Sequence, residues 1–358
     1  MTNSFSCNRI LPLTALLLTL LLAPFGHAAG DASEQAQRQD TQVQRQDKQP
    51  GNNAPVWREV RKGENPYQTT QVRGIETNIL VQSAGETWRR IRNGPIVLYG
   101  GLLLIAVPLL IFGFYRWKGP LRLHAKPTGR LIERFSDWER IVHWSTAISF
   151  VILAVSGVIT LFGKYVILPM FGYTLFSWLA ILSKNLHNFV GPLFVFCTLV
   201  MFVTYVKDNL WRAADFVWLK KAGGLLSGEH VPSERYNAGS KIWFWFGVIL
   251  LGVITSASGL VLDFPNFDQS RSVMQLANIV HAVSAVLFIV MSLGHIYIGT
   301  IGAEGAYESM RLGLVDEAWA KEHHDLWYEE VKSGRARQHF ADAVPADIKA
   351  QVAQATKA

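Results

Sequence analysis

The chain has 358 residues, half of them hydrophobic, with 34 lysines and arginines against 27 aspartates and glutamates. Long uncharged apolar runs at that length exclude an ordinary soluble two-domain protein and point to a polytopic membrane protein. The net charge of +7 is no nucleic-acid footprint, because the basic residues gather in alternate loops, and the two cysteines, Cys7 and Cys197, cannot build a disulfide framework or a CxxC site.

Residues 1–29 combine Arg9, an apolar run from Leu11 to Phe25 and the stretch Gly26-His27-Ala28-Ala29. That pattern predicts a secretory signal peptide cleaved near Ala28 or Ala29, with an uncleaved anchor as the alternative. Residues 30–54 are rich in Gln, Asp and Asn and too poor in apolar side chains to offset ordering, which predicts a disordered linker on the exported, periplasmic side. Residues 55–94 regain Trp57, Tyr67, Ile75, Ile79, Leu80 and Trp88, enough for short elements lying on the membrane or on a partner.

Five membrane spans follow, at about 95–115, 141–163, 187–206, 242–262 and 274–302. Loops 116–140 and 207–241 hold seven and six lysines and arginines, and loops 164–186 and 263–273 hold two and one. Basic loops stay inside, so the amino terminus is periplasmic and the carboxyl terminus cytoplasmic, in agreement with the signal peptide. Arg89, Arg90 and Arg92 oppose this on the outer flank of the first span, but five basic residues outnumber them on its inner flank. Residues 165–186 are apolar yet broken by Pro169 and Gly172, and read as an interfacial helix, since a sixth span would reverse every later loop. Residues 116–140 read as a basic cytoplasmic linker. Residues 303–358 read as a cytoplasmic tail whose stretch 313–331 forms one short amphipathic helix, with His323 and His324 solvated.

The last span carries His281 and His295. Fourteen residues along a helix are about 21 Å, and leave two side chains within roughly 40° of the same face. Both therefore point to one side, near opposite membrane faces. His187 opens the third span at outer depth, level with His281, and His143 begins the second at inner depth, level with His295. Ionisable side chains at membrane depth are costly unless they meet a partner inside the bundle. Two level pairs from facing helices are what two b-type haems require, each iron taking two axial imidazoles. Gly157, Ser156, Gly191, Ser284 and Gly294 would make room for the flat macrocycles. A proton relay or a non-haem metal site is the competing reading, and the relay is disfavoured because no Asp or Glu lies inside the five spans.

The segments RFSDWERIVHW around His143, LSKNLHNFVGPLF around His187, RYNAGSKIWFW before the fourth span and ANIVHAVSAVLFIVMSLGHIYIGTIGAEGAYESM around His281 and His295 resemble the gamma (cytochrome b) subunits of membrane-bound, quinone-linked formate dehydrogenases. The resemblance runs from about Arg134 to Glu330 and implies an all-α integral membrane fold: a four-helix dihaem cytochrome b bundle over residues 141–302, with one additional N-terminal transmembrane helix. It implies that His187 and His281 ligate the outer haem b and that His143 and His295 ligate the inner one. A quinone, menaquinone or ubiquinone, would bind beside the inner haem at Asn237 and Gly239, with His295 at its edge. Without the family, Tyr236 to Gly239 is an ordinary turn before a helix.

The resemblance further implies residence in the bacterial inner membrane and two partner subunits. One carries iron–sulfur clusters, and one holds molybdenum or tungsten and oxidises formate on the outer side. The chain itself would carry electrons to quinone without touching formate. A dihaem cytochrome b serving a hydrogenase or thiosulfate-type reductase, and a non-haem transporter or anchor, are the alternatives.

Overall fold

The structure is a computed structural model that describes residues 83–224, 231–267, 269–341 and 344–355. The signal segment 1–29, the linker 30–54 and residues 55–82 lie outside the described residues. The elements in order are α1 (Ala84–Lys118), β1 (Leu131–Glu133), α2 (Asp137–Phe162), α3 (Ile167–Tyr205), α4 (Ala213–Lys220), α5 (Ala238–Asp263), α6 (Arg271–Gly302), α7 (Ala306–Leu312), β2 (Leu314–Asp316), α8 (Glu317–His323), α9 (Asp325–Lys332) and α10 (Ala346–Ala355). Among the described residues, α1, α2, α3, α5 and α6 are the helices long and apolar enough to cross a membrane, which matches the expected count of five.

Local chemistry sets where these helices begin. Ser136 caps α2 in a reciprocal box, its side chain accepting from the Glu139 amide while the Glu139 carboxylate accepts from the Ser136 amide at 2.9 Å. Ser270 caps α6 in the same sense through the Val273 amide. Within α1, Pro95 removes a hydrogen-bond donor, and the helix widens into a π turn over Arg92–Ile96 instead of breaking. A lipid environment gives no hydrophobic drive between helices, so small residues decide how closely they pack. Gly100 of α1 lies on Val286 of α6, where an added Cβ would stand 3.4 Å from the valine, and Gly252 of α5 lies against Thr198 and Phe288.

Residues 165–186 do not form a separate interfacial helix. The backbone turns once at Gly172 (φ 78°, ψ 176°), a conformation open to glycine, and from there the helix continues through His187 to Tyr205. Pro169 and Gly172 thus place the break at the start of the segment, and the remainder extends α3 without adding a span.

The basic stretch after α1 and the carboxyl-terminal region also depart from the expected linker and tail. β1 pairs antiparallel with β2, Leu131 opposite Asp316 and Glu133 opposite Leu314. Around them Ile132, Val315, Trp319, Ala320, Trp327 and Val331 form a buried apolar cluster. Asp316 is 1% exposed and accepts from the amides of Thr128, Gly129 and Ala318 at 2.8–3.0 Å, which satisfies a buried carboxylate locally. The expected amphipathic helix over 313–331 is instead β2, α8 and α9, interrupted at His324. That histidine is not solvated: it is 4% exposed, with Nδ1 on the Glu234 carbonyl and Nε2 3.1 Å from an Arg134 guanidinium nitrogen. The apolar residues of this stretch are covered by Ile132 of β1 and by one another.

A buried ionic layer fastens this cap to the bundle. Arg235 bonds the Glu139 carboxylate at 2.8 Å and also pairs with Asp208, while Arg134 donates to the Arg235 carbonyl at 3.1 Å. Lys241, fully buried, bridges Asp215 at 2.7 Å and Glu234 at 2.9 Å, tying α4 to α5. Removing one member would leave an uncompensated buried charge, so this layer holds the cap in one register.

Candidate cofactor site

The structure brings the four sequence-selected histidines together in two pairs. At the end of the bundle away from the cap, the ring centroids of His187 (α3) and His281 (α6) lie 5.9 Å apart at an interplanar angle of 81°. At the capped end the rings of His143 (α2) and His295 (α6) lie 6.2 Å apart at 58°. The pairing expected from depth alone is therefore the pairing observed.

Hydrogen bonds define the first pair. The Ser156 hydroxyl donates to the Ile152 carbonyl at 2.7 Å, so its oxygen is left to accept from His187 Nδ1 at 2.8 Å. The Thr255 carbonyl can only accept, and it takes His281 Nδ1–H at 2.9 Å, with Ser258 at 3.4 Å. Both imidazoles thus carry their proton on Nδ1 and present the Nε2 lone pair, the arrangement a metal-binding histidine needs. Two glycines admit the rings. A Cβ on Gly157 would stand 3.3 Å from His187 Cε1, and one on Gly259 would stand 3.0 Å from His281 Cε1. Gly157 and Ser156 were expected near the site. Thr255, Ser258 and Gly259 were not, because they lie on α5, which contributes no histidine and so gave no signal.

A cavity of about 290 Å³ adjoins this pair, lined by both histidines, by apolar side chains including Leu153, Val158 and Ile289, and by three charged groups: Arg92, Lys184 and Asp263. Gly191, another expected small residue, lines it too.

The second pair is built differently. His143 Nδ1 is buried with no hydrogen-bond partner, and its ring meets Trp144 edge-on at 5.2 Å. His295 stacks on Trp243 of α5, centroids 4.8 Å apart and planes within 11°. Between the two levels lies a cluster the sequence reading missed: Phe150, Phe194 and Phe288, with centroid distances of 4.7–6.1 Å. Each stands seven residues from a histidine on its own helix, close to two full turns, so the spacing itself carried the signal.

Asn237 and Gly239 sit in the first turn of α5, below Trp243 and on the same helix. The Asn237 side-chain oxygen caps that helix, accepting from the Ser240 amide at 2.9 Å and the Ser240 hydroxyl at 3.1 Å. Gly239 is not open to a ligand on this side. The Trp218 indole of α4 covers it, and a Cβ there would stand 3.0 Å from the ring.

The family model described as prokaryotic cytochrome b561 matches residues 134–312. The formate dehydrogenase cytochrome b556(fdo) subunit of Escherichia coli K12 is 36% identical over 210 residues, 56% of this chain and 93% of the relative. The nitrate-inducible cytochrome b556(Fdn) subunit of the same organism is 27% identical over 226 residues, covering 60% of this chain and 98% of the relative. The formate dehydrogenase cytochrome b556 subunit of Haemophilus influenzae is 28% identical over 203 residues, covering 53% of this chain and 79% of the relative. With five helices among the described residues long and apolar enough to cross a bilayer, the chain belongs to the prokaryotic cytochrome b561 family, as a haem-binding cytochrome b subunit of formate dehydrogenase.

Proposed function

We propose that this chain is the electron-transfer subunit of a quinone-linked formate dehydrogenase and holds two haems b, one at His187 and His281 and one at His143 and His295. The observation that carries the reading is the close approach of the imidazoles in two pairs. Each pair would hold one haem iron between its two imidazoles. The two pairs are at 5.9 and 6.2 Å. Among the described residues no third His, Cys, Asp or Glu joins either pair, which argues against a non-haem metal centre.

Bound haem b supplies a one-electron carrier. The chain's own residues do the rest. Ser156 and the Thr255 carbonyl fix the tautomer and orientation of the outer imidazoles, and Trp243 holds the His295 ring by stacking. The three phenylalanines keep the space between the two levels apolar. In this reading the capped end is cytoplasmic, because the basic loops 116–140 and 207–241 lie there, and the amino terminus is periplasmic in the bacterial inner membrane. Electrons arrive at the His187/His281 end from a periplasmic iron–sulfur subunit that is served by a molybdenum- or tungsten-containing catalytic subunit. They leave at the His143/His295 end to a membrane quinone, and no formate chemistry occurs in this chain. The quinone headgroup is assigned to the start of α5, where the Asn237 amide nitrogen can donate to a quinone carbonyl.

Haem stoichiometry of the purified complex tests this. The wild type is expected to carry two haems b per chain, and the four single His→Ala variants one each, with His187→Ala and His281→Ala losing the same haem. A colourless wild-type subunit, or a His187→Ala variant that keeps both haems, refutes the assignment.

A further inference from the structure

The appended helix α1 precedes the matched family region, which starts at residue 134, and it supplies none of the histidines. Its position is nonetheless specific. Trp88 donates through Nε1 to Asn278 of α6 at 3.1 Å, and Gly100 packs on Val286, so the amino-terminal half of α1 runs along the helix that carries His281. Asn278 also lines the cavity beside the His187/His281 pair, and so does Arg92, which the π turn at Pro95 places at that level.

The three arginines that oppose the charge rule on this flank are not alike. Arg89 and Arg90 are both paired with Glu86, at 2.8 and 3.0 Å. Arg92 touches only the side-chain oxygen of its neighbour Asn93, at 3.0 Å, and meets no carboxylate among the described residues. The second cation on the cavity wall is Lys184, one turn before His187 on α3, and Asp263 is the carboxylate there. An apolar cavity rimmed by two cations with no carboxylate pairing either among the described residues is built for an amphipathic ligand carrying two anionic groups. Haem b has two propionates, and its apolar face matches the rest of the lining.

We propose that Arg92, together with Lys184, anchors the propionates of the haem held by His187 and His281, so that the appended helix is a working part of the outer cofactor site. The proposal rests on the dihaem reading above. It accounts for an arginine retained on the exported flank of a span, where topology alone disfavours one.

The test uses the full chain in its assembled complex, with optical redox titration and haem content as readouts. Reduction adds an electron, and a nearby cation stabilises the reduced form. Arg92→Ala is therefore expected to lower the midpoint potential of the haem that His187→Ala removes, and to increase the loss of that haem in detergent. Lys184→Ala should do the same, Arg92→Lys should stay near wild type, and Arg89→Ala should change neither reading. An Arg92→Ala variant with unchanged potential and retention of that haem overturns the proposal and leaves Arg92 as a contact for lipid phosphate. A wild type with a single haem, or a His187→Ala variant that loses none, instead overturns the dihaem reading beneath it.

Discussion

Ser156→Ala is the most direct probe of how the protein tunes the proposed haem site at His187 and His281. Ser156 is 2% exposed, and its hydroxyl hydrogen is committed to the Ile152 carbonyl, so its oxygen is an acceptor for His187 Nδ1–H at 2.8 Å. An acceptor on the far nitrogen makes the imidazole a stronger donor to iron and favours the ferric state, so its loss raises the potential. A neutral hydrogen bond is worth about 0.5–1.5 kcal/mol net, and one electron converts 1.36 kcal/mol to about 59 mV. The upward shift therefore has a ceiling of roughly 20–65 mV. Redox titration of the detergent-solubilised complex reads the shift, with the haem proposed at His143 and His295 as internal control. A downward shift, or an equal shift of both haems, would show that this hydrogen bond does not set the donor strength of His187.

Two further outcomes follow from packing and charge. Gly259→Ala places a methyl 3.0 Å from His281 Cε1, tighter than the 3.3 Å met by Gly157→Ala at His187. Overpacking of this kind costs about 1–3 kcal/mol, so Gly259→Ala should lose outer haem more readily than Gly157→Ala, as pyridine haemochrome content would reveal; equal retention would contradict the closeness of that contact. Burial and the neighbouring Arg134 hold His324 well below the usual histidine range in the folded cap. The unfolded chain takes up a proton near pH 6.5 while the folded cap does not, so the His324 contribution is intact above that pH and declines as pH falls below it. Melting of the solubilised protein between pH 7.5 and 5 should show this decline, and His324→Gln should flatten it; an unchanged slope would mean that other groups govern acid stability.

Much of the candidate site was legible before the fold. Fourteen-residue spacing on one helix, combined with the alternation of basic loops, placed each histidine at a depth, and depth alone chose the pairs. That works because a membrane removes one dimension of the folding problem: a span must cross, so position along the chain becomes position along the normal. The five-helix architecture came from the same constraint.

What lies across the normal was not legible. Ser258, Gly259 and the Thr255 carbonyl enter the site from a helix with no histidine. Trp218 covers Gly239 from a short helix with no periodic relation to it, and Arg92 reaches the cavity only because α1 packs on α6. The cap was misread because a burial pattern in sequence shows that a face is covered but not by what, and β1 and β2 are separated by the whole bundle. The order of residues thus settled which side chains share a depth. Lateral packing settled which of them touch, since contacts between helices depend on crossing geometry that no periodicity along one helix encodes.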